Sequence, residues 1–198
     1  MANYGERLVY WYLRLQGFCL LENFVLHRHD VDTNVARTSD TDLLGIRLSR
    51  SHEEIDGERL EPDPWLSDKL EFTSRHVGLI VQVKTGRRNS ARKAFDRNRL
   101  LYALKFLGVP GLPAKDIVDA LHTNPTALAG RYWLVGKLLV TESTGPRAES
   151  QPHLTRSMDQ LLSFIEQRLS RYSDRKEADR LFFADDLMQF LAWRSSRG

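Results

Sequence analysis

The run Val77-Gly-Leu-Ile-Val-Gln-Val-Lys84 restricts the fold of this chain more than any other segment. Its continuous apolar character predicts a strand that is buried on both faces. Because alternate residues of a strand share a face, Gln82 and Lys84 would project side by side from that buried element. Burying an amide and an ammonium costs several kcal/mol unless both groups make compensating interactions. We therefore expect this pair to have a function.

Two acidic positions lie upstream on other predicted elements. Residues 5–17 carry apolar side chains at the spacing of a helix packed on a sheet, and Glu6 falls near the start of that helix. The segment Ser39-Asp-Thr-Asp-Leu-Leu-Gly-Ile46 predicts a strand with Asp42 just before its apolar part. Asp40 is the alternative acid if the strand begins earlier. The chain thus offers an acid on a helix, an acid on a strand and Gln-x-Lys on a later strand.

The remaining periodicity predicts an α/β chain. Strands are expected at 18–26 and 41–48, joined as a hairpin by the polar stretch 27–39, and again at 132–141. Helices are expected at 89–107, at 115–121, around 154–170 and around 177–193. A crossover helix is the natural connection between neighbouring parallel strands. The core order is therefore helix, strand, strand, strand, helix, strand.

These residues and this order resemble the PD-(D/E)xK nuclease superfamily, in the Mrr-like branch where glutamine replaces the second carboxylate. The resemblance is closest over residues 5–86, and Thr41 stands where the family name has proline. It implies a restriction-endonuclease-like fold, with a mixed central sheet flanked by helices, the core order α-β-β-β-α-β and C-terminal helices. Each short motif is common by chance, and the information lies in three motifs in the right order.

The resemblance also implies a metal-dependent nuclease that hydrolyses phosphodiester bonds in DNA. Asp42 would be the principal ligand of Mg²⁺, with Mn²⁺ as the alternative ion, and Gln82 would supply a neutral oxygen. Glu6 would restore negative charge as a further ligand, directly or through a water. Lys84 would orient the attacking water or stabilise the charge that develops on the phosphate.

The residues taken alone leave other interpretations open. Glu6 could be an acid that the helix macrodipole favours in the first turn, and Asp42 could be a turn acid. Gln82 and Lys84 could lie at an exposed strand end. Because the second carboxylate is missing, the alternative function is a catalytically inactive DNA-binding or partner-binding subunit of a larger bacterial nucleic-acid-processing or defence complex.

A basic segment follows the proposed catalytic strand. Only seven of the 29 basic residues are lysine, so the chain favours arginine, whose planar group grips phosphate bidentately. Asp96 is the only acid between residues 84 and 105. We expect this segment to bind a nucleic-acid backbone, and the alternative is a solvated helix face. The candidate contacts are Arg87, Arg88, Arg92, Lys93, Arg97 and Arg99.

The domain organisation is predicted as a nuclease-like core over 1–145 and a C-terminal helical extension over 153–198. Two prolines and many acids mark 49–75 as an insertion in the core. The apolar run 181–193 is wider than one helix stripe, so it could complete the core, form a homodimer or bind a partner protein.

Composition narrows the class of protein. With 41% hydrophobic and 28% charged residues the chain reads as globular, and no apolar run approaches the roughly 20 residues of a membrane span. Early charges interrupt any signal-peptide pattern, so the cytoplasm is the expected compartment. Cys19, the only cysteine, is either a small core residue or a reactive thiol. The pair His27 and His29, followed by Asp30 and Asp32, is either a metal cluster or the polar end of a hairpin.

Overall fold

A computed structural model describes residues 3–30, 35–55, 57–85, 95–143, 151–173 and 185–195, with the backbone alone described at 25–30, 35–40, 55 and 172–173. None of the helices in these ranges is both long and apolar enough to cross a membrane. The elements in chain order are α1 (Tyr4–Leu15), β1 (Cys19–Asp30), β2 (Val35–Arg47), β3 (Glu53–Ile55), β4 (Glu58–Leu60), α2 (Pro64–Lys69), β5 (His76–Lys84), α3 (Arg97–Leu107), α4 (Ala114–Thr123), β6 (Thr126–Leu128), β7 (Trp133–Thr141), β8 (Leu154–Ser157), α5 (Met158–Ser173) and α6 (Asp186–Ser195).

Six strands form one mixed sheet with β5 in its interior. The pairs β1–β2 and β2–β5 are antiparallel, whereas β5 and β7 are parallel along their whole length. The far edge of β7 is shared, because β6 runs antiparallel along residues 134–136 and β8 runs parallel along residues 138–141. The short strands β3 and β4 form a separate hairpin. The predicted α/β class, with a mixed central sheet and flanking helices, is confirmed.

Helices cover both faces of this sheet. On one side, named here the α1 face, α1, α5 and α6 share a core with Leu79 and Val81 of β5. On the other side, the α3 face, α3 and α4 share a core with Ile80 of β5 and Val135 of β7. Successive residues of β5 therefore alternate between two cores. Residues 77–83 are all buried, as the apolar run predicts.

The segment predicted as an insertion contributes to the core of the α1 face. Leu60, Leu66, Leu70 and Phe72 are buried in the same cluster as residues of α1 and α5. Arg47, the last residue of β2, lies with its guanidinium carbon 4.0 Å from the centre of the Phe72 ring. This buried guanidinium donates to backbone carbonyls of Gln16, Leu48, Ser51 and Phe72. The segment is thereby fixed to the end of α1 and to β2.

Some predicted boundaries are corrected. The helix expected from residue 154 begins at Met158, because residues 154–157 form β8 beside β7. Ser157 ends the strand and caps the helix, since its N–H donates to Gln160 Oε1 and its hydroxyl accepts from the Gln160 N–H. For the helix predicted at 89–107, the part that the structure describes begins at Arg97. For the helix predicted at 177–193, the described part is α6, Asp186–Ser195.

The polar stretch 27–39 is mostly strand rather than turn, because β1 runs to Asp30 and β2 starts at Val35. Antiparallel pairing satisfies the backbone N–H and C=O groups of these two strands whatever their side chains are. Residues that usually form turns therefore did not mark the end of a strand here. Cys19 is exposed at the start of the edge strand β1. The interpretation of Cys19 as a small core residue is therefore wrong.

Candidate active site

The carboxylate of Asp42 lies where two ladders of the sheet are interrupted. Pairing of β2 with β5 ends at Leu43, and pairing of β2 with β1 skips Asp42 itself. Just beyond the end of the ladder, the N–H of Val83 donates to Asp42 Oδ2 at 2.5 Å. A charged acceptor therefore takes the place of a backbone carbonyl. This bond holds the carboxylate beside the backbone that joins Gln82 to Lys84.

Asp42, Gln82 and Lys84 belong to the α3 face. Opposed residues of paired strands share a face, and Leu44 is opposite Ile80 in the core of that face. Alternation along β2 and β5 then assigns all three polar residues to the same side of the sheet. Gln82 is 1% exposed, whereas Lys84 is half-buried at the strand end. The structure therefore brings these three candidates together.

Arg99 of α3 contacts the amide of Gln82. Its Nη1 donates to Gln82 Oε1 at 3.3 Å, and its Nε lies 3.3 Å from Asp96 Oδ2. Asp96 is also the N-cap of α3, because its Oδ1 accepts from the N–H groups of Asn98 and Arg99. One carboxylate thus starts the helix and positions the guanidinium that contacts Gln82.

Glu6 lies at the same end of the sheet but in the helix layer of the α1 face. A Cβ at Gly5 would come within 2.7 Å of the methyl group of Thr85, so glycine allows α1 to start against the end of β5. The Glu6 carboxylate accepts from the Nδ2 group and the backbone N–H of Asn3 at 2.7 and 3.2 Å. The backbone N–H of Glu6 donates to Asn3 Oδ1. These bonds form a capping box. Glu6 is therefore engaged in capping the helix, next to the strand end that carries the other candidates.

The basic candidates are only partly described. Arg97 forms an ion pair with Asp119 of α4, and both side chains are about half exposed. Arg97 therefore links α3 to α4 through an ion pair, and Arg99 links α3 to β5 through a hydrogen bond to the Gln82 amide. Outside the described residues lie Arg87, Arg88, Arg92 and Lys93, together with Asp32 and the side chains of His27, His29, Asp30 and Asp40.

The donors at this edge suit a hard divalent cation. Asp42 offers a carboxylate and Gln82 an amide oxygen, and Mg²⁺ is commonly held by one or two carboxylates together with waters and substrate phosphates. In the part of the chain that the structure describes, no three His, Cys, Asp or Glu side chains gather as a metal site.

Two buried basic groups extend the polar region of the α3 face inward. Lys137 of β7, opposite Ile80, is 2% exposed, and its Nζ donates to the Leu121 carbonyl in the last turn of α4. Burial lowers the pKa of Lys137 to about 8. Burial, and then the charge of Lys137, lowers the pKa of His153 to about 4. The ring centre of Phe95 lies 5.7 Å from Lys137 Nζ and 5.6 Å from the His153 ring.

The sequence interpretation missed Lys137, although a signal was present. Lys137 interrupts the apolar run of β7, as Lys84 ends the apolar run of β5. The same argument about a buried charge in a strand applies to both lysines. His153 had no such signal, because it stands in a polar stretch before a strand of four residues.

Comparisons of this chain with protein-family models, with curated proteins and with solved structures find no match. The fold is therefore defined by the structure itself, as an α/β domain with a mixed six-stranded sheet. The function has to be inferred from the chemistry of the site.

Proposed function

We propose that the protein is a metal-dependent nuclease of the PD-(D/E)xK type that hydrolyses phosphodiester bonds in DNA. The observation that supports this best is the bond from the Val83 N–H to Asp42 Oδ2. It holds a carboxylate beside a buried amide and an ammonium at the end of an interior strand. An acid, a neutral oxygen and a cation at one edge are the groups that phosphodiester hydrolysis uses.

Each side chain has its own role in this proposal. Asp42 and Gln82 would hold Mg²⁺, or Mn²⁺, through oxygens, and a bound ion would supply a nucleophilic water near neutral pH and offset charge on the phosphate. Lys84 donates toward the attacking water and the scissile phosphate from the same face. Glu6 adds negative charge from the start of α1, at the end of the same strand.

Arg99 orients the Gln82 amide. Because Nη1 of Arg99 donates to Oε1 of Gln82, the oxygen of the amide is directed toward α3 and the NH₂ group is directed away from the guanidinium. Asp96 offsets the charge of Arg99, so Lys84 is the cation that faces the strand carboxylate of Asp42. A cation beside Asp42 weakens the binding of a metal ion alone and favours an anionic substrate.

Cleavage of supercoiled plasmid and of single-stranded DNA by purified protein, with Mg²⁺, Mn²⁺ or EDTA, tests the proposal. We expect Lys84→Ala and Asp42→Asn each to lower the cleavage rate by about 100-fold or more, the range for removing one group that stabilises transition-state charge. Lys115→Ala, at an exposed position of α4, is the matched control and should cut like the wild type. Unchanged cutting by folded Lys84→Ala protein would contradict the proposal.

A second candidate function is a DNA-binding or partner-binding subunit that keeps the fold without catalysis. The Arg99 contact favours it, because the guanidinium uses an oxygen that a nuclease would give to the metal. Gln82→Glu distinguishes the two functions by restoring a second carboxylate. If Gln82→Glu cuts DNA and the wild type does not, the non-catalytic subunit is supported. Metal-dependent cutting by the wild type would reject the non-catalytic subunit.

A homodimer or a partner contact through the C-terminal helices stays a proposal. The described part of that run supplies the core of the α1 face with Met188 and Leu191, both buried. Phe190 is 52% exposed and is the ring that a dimer contact through α6 would use. Light scattering over a range of protein concentrations tests this, and a constant monomer mass would exclude the dimer.

A further inference from the structure

One side of α3 carries a guanidinium followed by two exposed aromatic rings. Arg99, Tyr102 and Phe106 are three and four residues apart, so they lie along the same side of the helix. Tyr102 is 42% exposed and Phe106 is 58% exposed. The row begins at the candidate site, because Arg99 donates to Gln82. We name these two rings and Lys105 the α3 platform.

Phe106 is supported from below by another ring. The ring centres of Phe106 and Phe24, on β1, are 4.4 Å apart with the planes tilted by 44°. Phe24 itself is half-buried and packs on the core of the α3 face. A surface ring that packs on a second ring keeps its orientation without a ligand. At a rise of about 1.5 Å per residue, Tyr102 and Phe106 lie about 6 Å apart along the helix axis.

The charge of α3 has one sign. Residues Arg97–Leu107 include three basic side chains and no acid. The ammonium of Lys105 lies 5.9 Å from the centre of the Tyr102 ring. Exposed rings next to cations match a strand of nucleic acid, which offers flat bases for stacking and phosphates for pairing. An apolar protein surface would have to desolvate the Lys105 ammonium to reach the same rings.

We infer that the α3 platform binds single-stranded DNA, with unpaired bases stacked on Tyr102 and Phe106 and the phosphates passing Lys105 toward Gln82. Unpaired bases have free faces, whereas the bases of a duplex are already stacked on each other, so duplex DNA binds less tightly. The inference rests on the proposed nuclease function for the reaction at the end of the strand, and it names the substrate class as single-stranded DNA.

Fluorescence anisotropy with a labelled oligothymidine and a duplex of the same length, both in EDTA, tests the inference without cleavage. Tyr102→Ala and Phe106→Ala should each raise the Kd for the single strand by about 10-fold, within the range for loss of one stacked base. Tyr102→Phe should keep wild-type affinity, because the ring remains. Tyr132→Ala is the matched control, since this ring is similarly exposed but precedes β7 at the opposite end of the sheet from Lys84.

The salt dependence separates stacking from phosphate contact. Lys105→Ala should reduce the slope of log K against log salt by about 0.7, the value for one phosphate contact to a single strand. Tyr102→Ala should weaken binding and leave that slope unchanged. Phe106→Leu keeps an apolar contact with Phe24 and loses the stacking ring, so it replaces Phe106→Ala if the alanine variant does not fold.

Three results would overturn the inference. These are equal affinity of the ring variants and the wild type, equal or tighter binding to the duplex, and no binding of either oligonucleotide. In the last case, light scattering of Phe106→Ala shows whether the ring joins copies of the chain instead. Ring-dependent binding without any Mg²⁺-dependent cleavage would reject the nuclease proposal and keep the platform. Mg²⁺-dependent cleavage by a protein whose DNA binding does not depend on the two rings would keep the nuclease proposal and reject the platform.

Discussion

Two regions of the molecule treat buried charge in opposite ways. Around Asp63 and Glu53 on the α1 face, arginines meet carboxylates: Arg156, whose side chain is 15% exposed, lies 2.8 Å from Asp63, and the buried Arg168 lies 2.5 Å from Glu53. On the α3 face, the buried ammonium of Lys137 is bound to a backbone carbonyl and its pKa is lowered. Paired charges fix elements to each other, whereas a cation held on a neutral carbonyl stays costly to bury. The paired charges around Asp63 and Glu53 therefore secure the fold, whereas Lys137, like Arg47 on the α1 face, is a buried cation held by backbone carbonyls with a lowered pKa.

Asp63 is the centre of the network on the α1 face. Its Oδ2 accepts from the Tyr12 hydroxyl at 2.7 Å and from Arg156 Nη2, and its Oδ1 accepts from the Trp65 N–H at the start of α2. The N–H of Asp63 donates to Gln16 Oε1 at 2.8 Å. Burial, and then the charge of Asp63, raises the pKa of Tyr12 well above its ordinary value. One carboxylate therefore joins α1, α2 and β8.

Asp63→Ala should give the largest loss of stability among the changes that test this comparison. The substitution removes a buried carboxylate and leaves both the Tyr12 hydroxyl and Arg156, whose side chain is 15% exposed, without that acceptor, so we expect the free energy of unfolding to fall by about 3–5 kcal/mol. Urea unfolding followed by circular dichroism measures the loss. Glu71→Ala is the comparison, because it breaks a more exposed ion pair, between Glu71 and Arg75. It should cost about 1 kcal/mol or less. A similar small loss for Asp63→Ala would show that the network does not secure the α1 face.

Lys137→Met tests the other half of the comparison through pH. The folded-state pKa of Lys137, about 8, lies below the ordinary value of 10.5, so the unfolded chain binds the proton more tightly. Between these two values the unfolded chain holds a proton that the folded chain has released, and the wild type therefore gains stability as pH rises. We expect this gain to be absent in Lys137→Met, when both proteins are unfolded in urea at pH values across the window.

Other groups titrate in the same window, so the difference between the two curves is the relevant quantity. Lys69→Met, at an exposed position of α2, is the control and should follow the wild type. If the curves of Lys137→Met and the wild type were parallel, the ammonium of Lys137 would be solvated at no cost, and the distinction between the two regions would not hold.

The comparison also separates what the sequence could predict from what it could not. The apolar run of β5 predicted a doubly buried strand, because local composition alone decides burial of that kind. The acids Glu53 and Asp63 looked like solvated residues of an insertion. Their partners, Arg168 and Arg156, follow 115 and 93 residues later, so no local pattern could reveal the pairing.

The candidate site shows the same division. Gln82 and Lys84 were predicted because they end an apolar strand, and Asp42 because it starts one. The Val83 N–H that holds the Asp42 carboxylate could not be predicted, since it depends on where β2 separates from β5. The contact of Arg99 with Gln82 depends on how α3 packs on the sheet, and the basic pattern suggested only a phosphate contact for this arginine.

The smallest expected effect sharpens the comparison at the surface. Arg97 and Asp119 pair on the outside of the α3 face, where both side chains are about half exposed. A double-mutant cycle of Arg97→Ala and Asp119→Ala, measured by urea unfolding, should give a coupling free energy of about 0.5 kcal/mol or less, because water screens such pairs. A coupling as large as that of a buried pair would mean that charge also secures the α3 face. Asp119→Ala releases the Arg97 charge, so it should steepen the salt dependence of DNA binding, which a purely structural pair would leave unchanged.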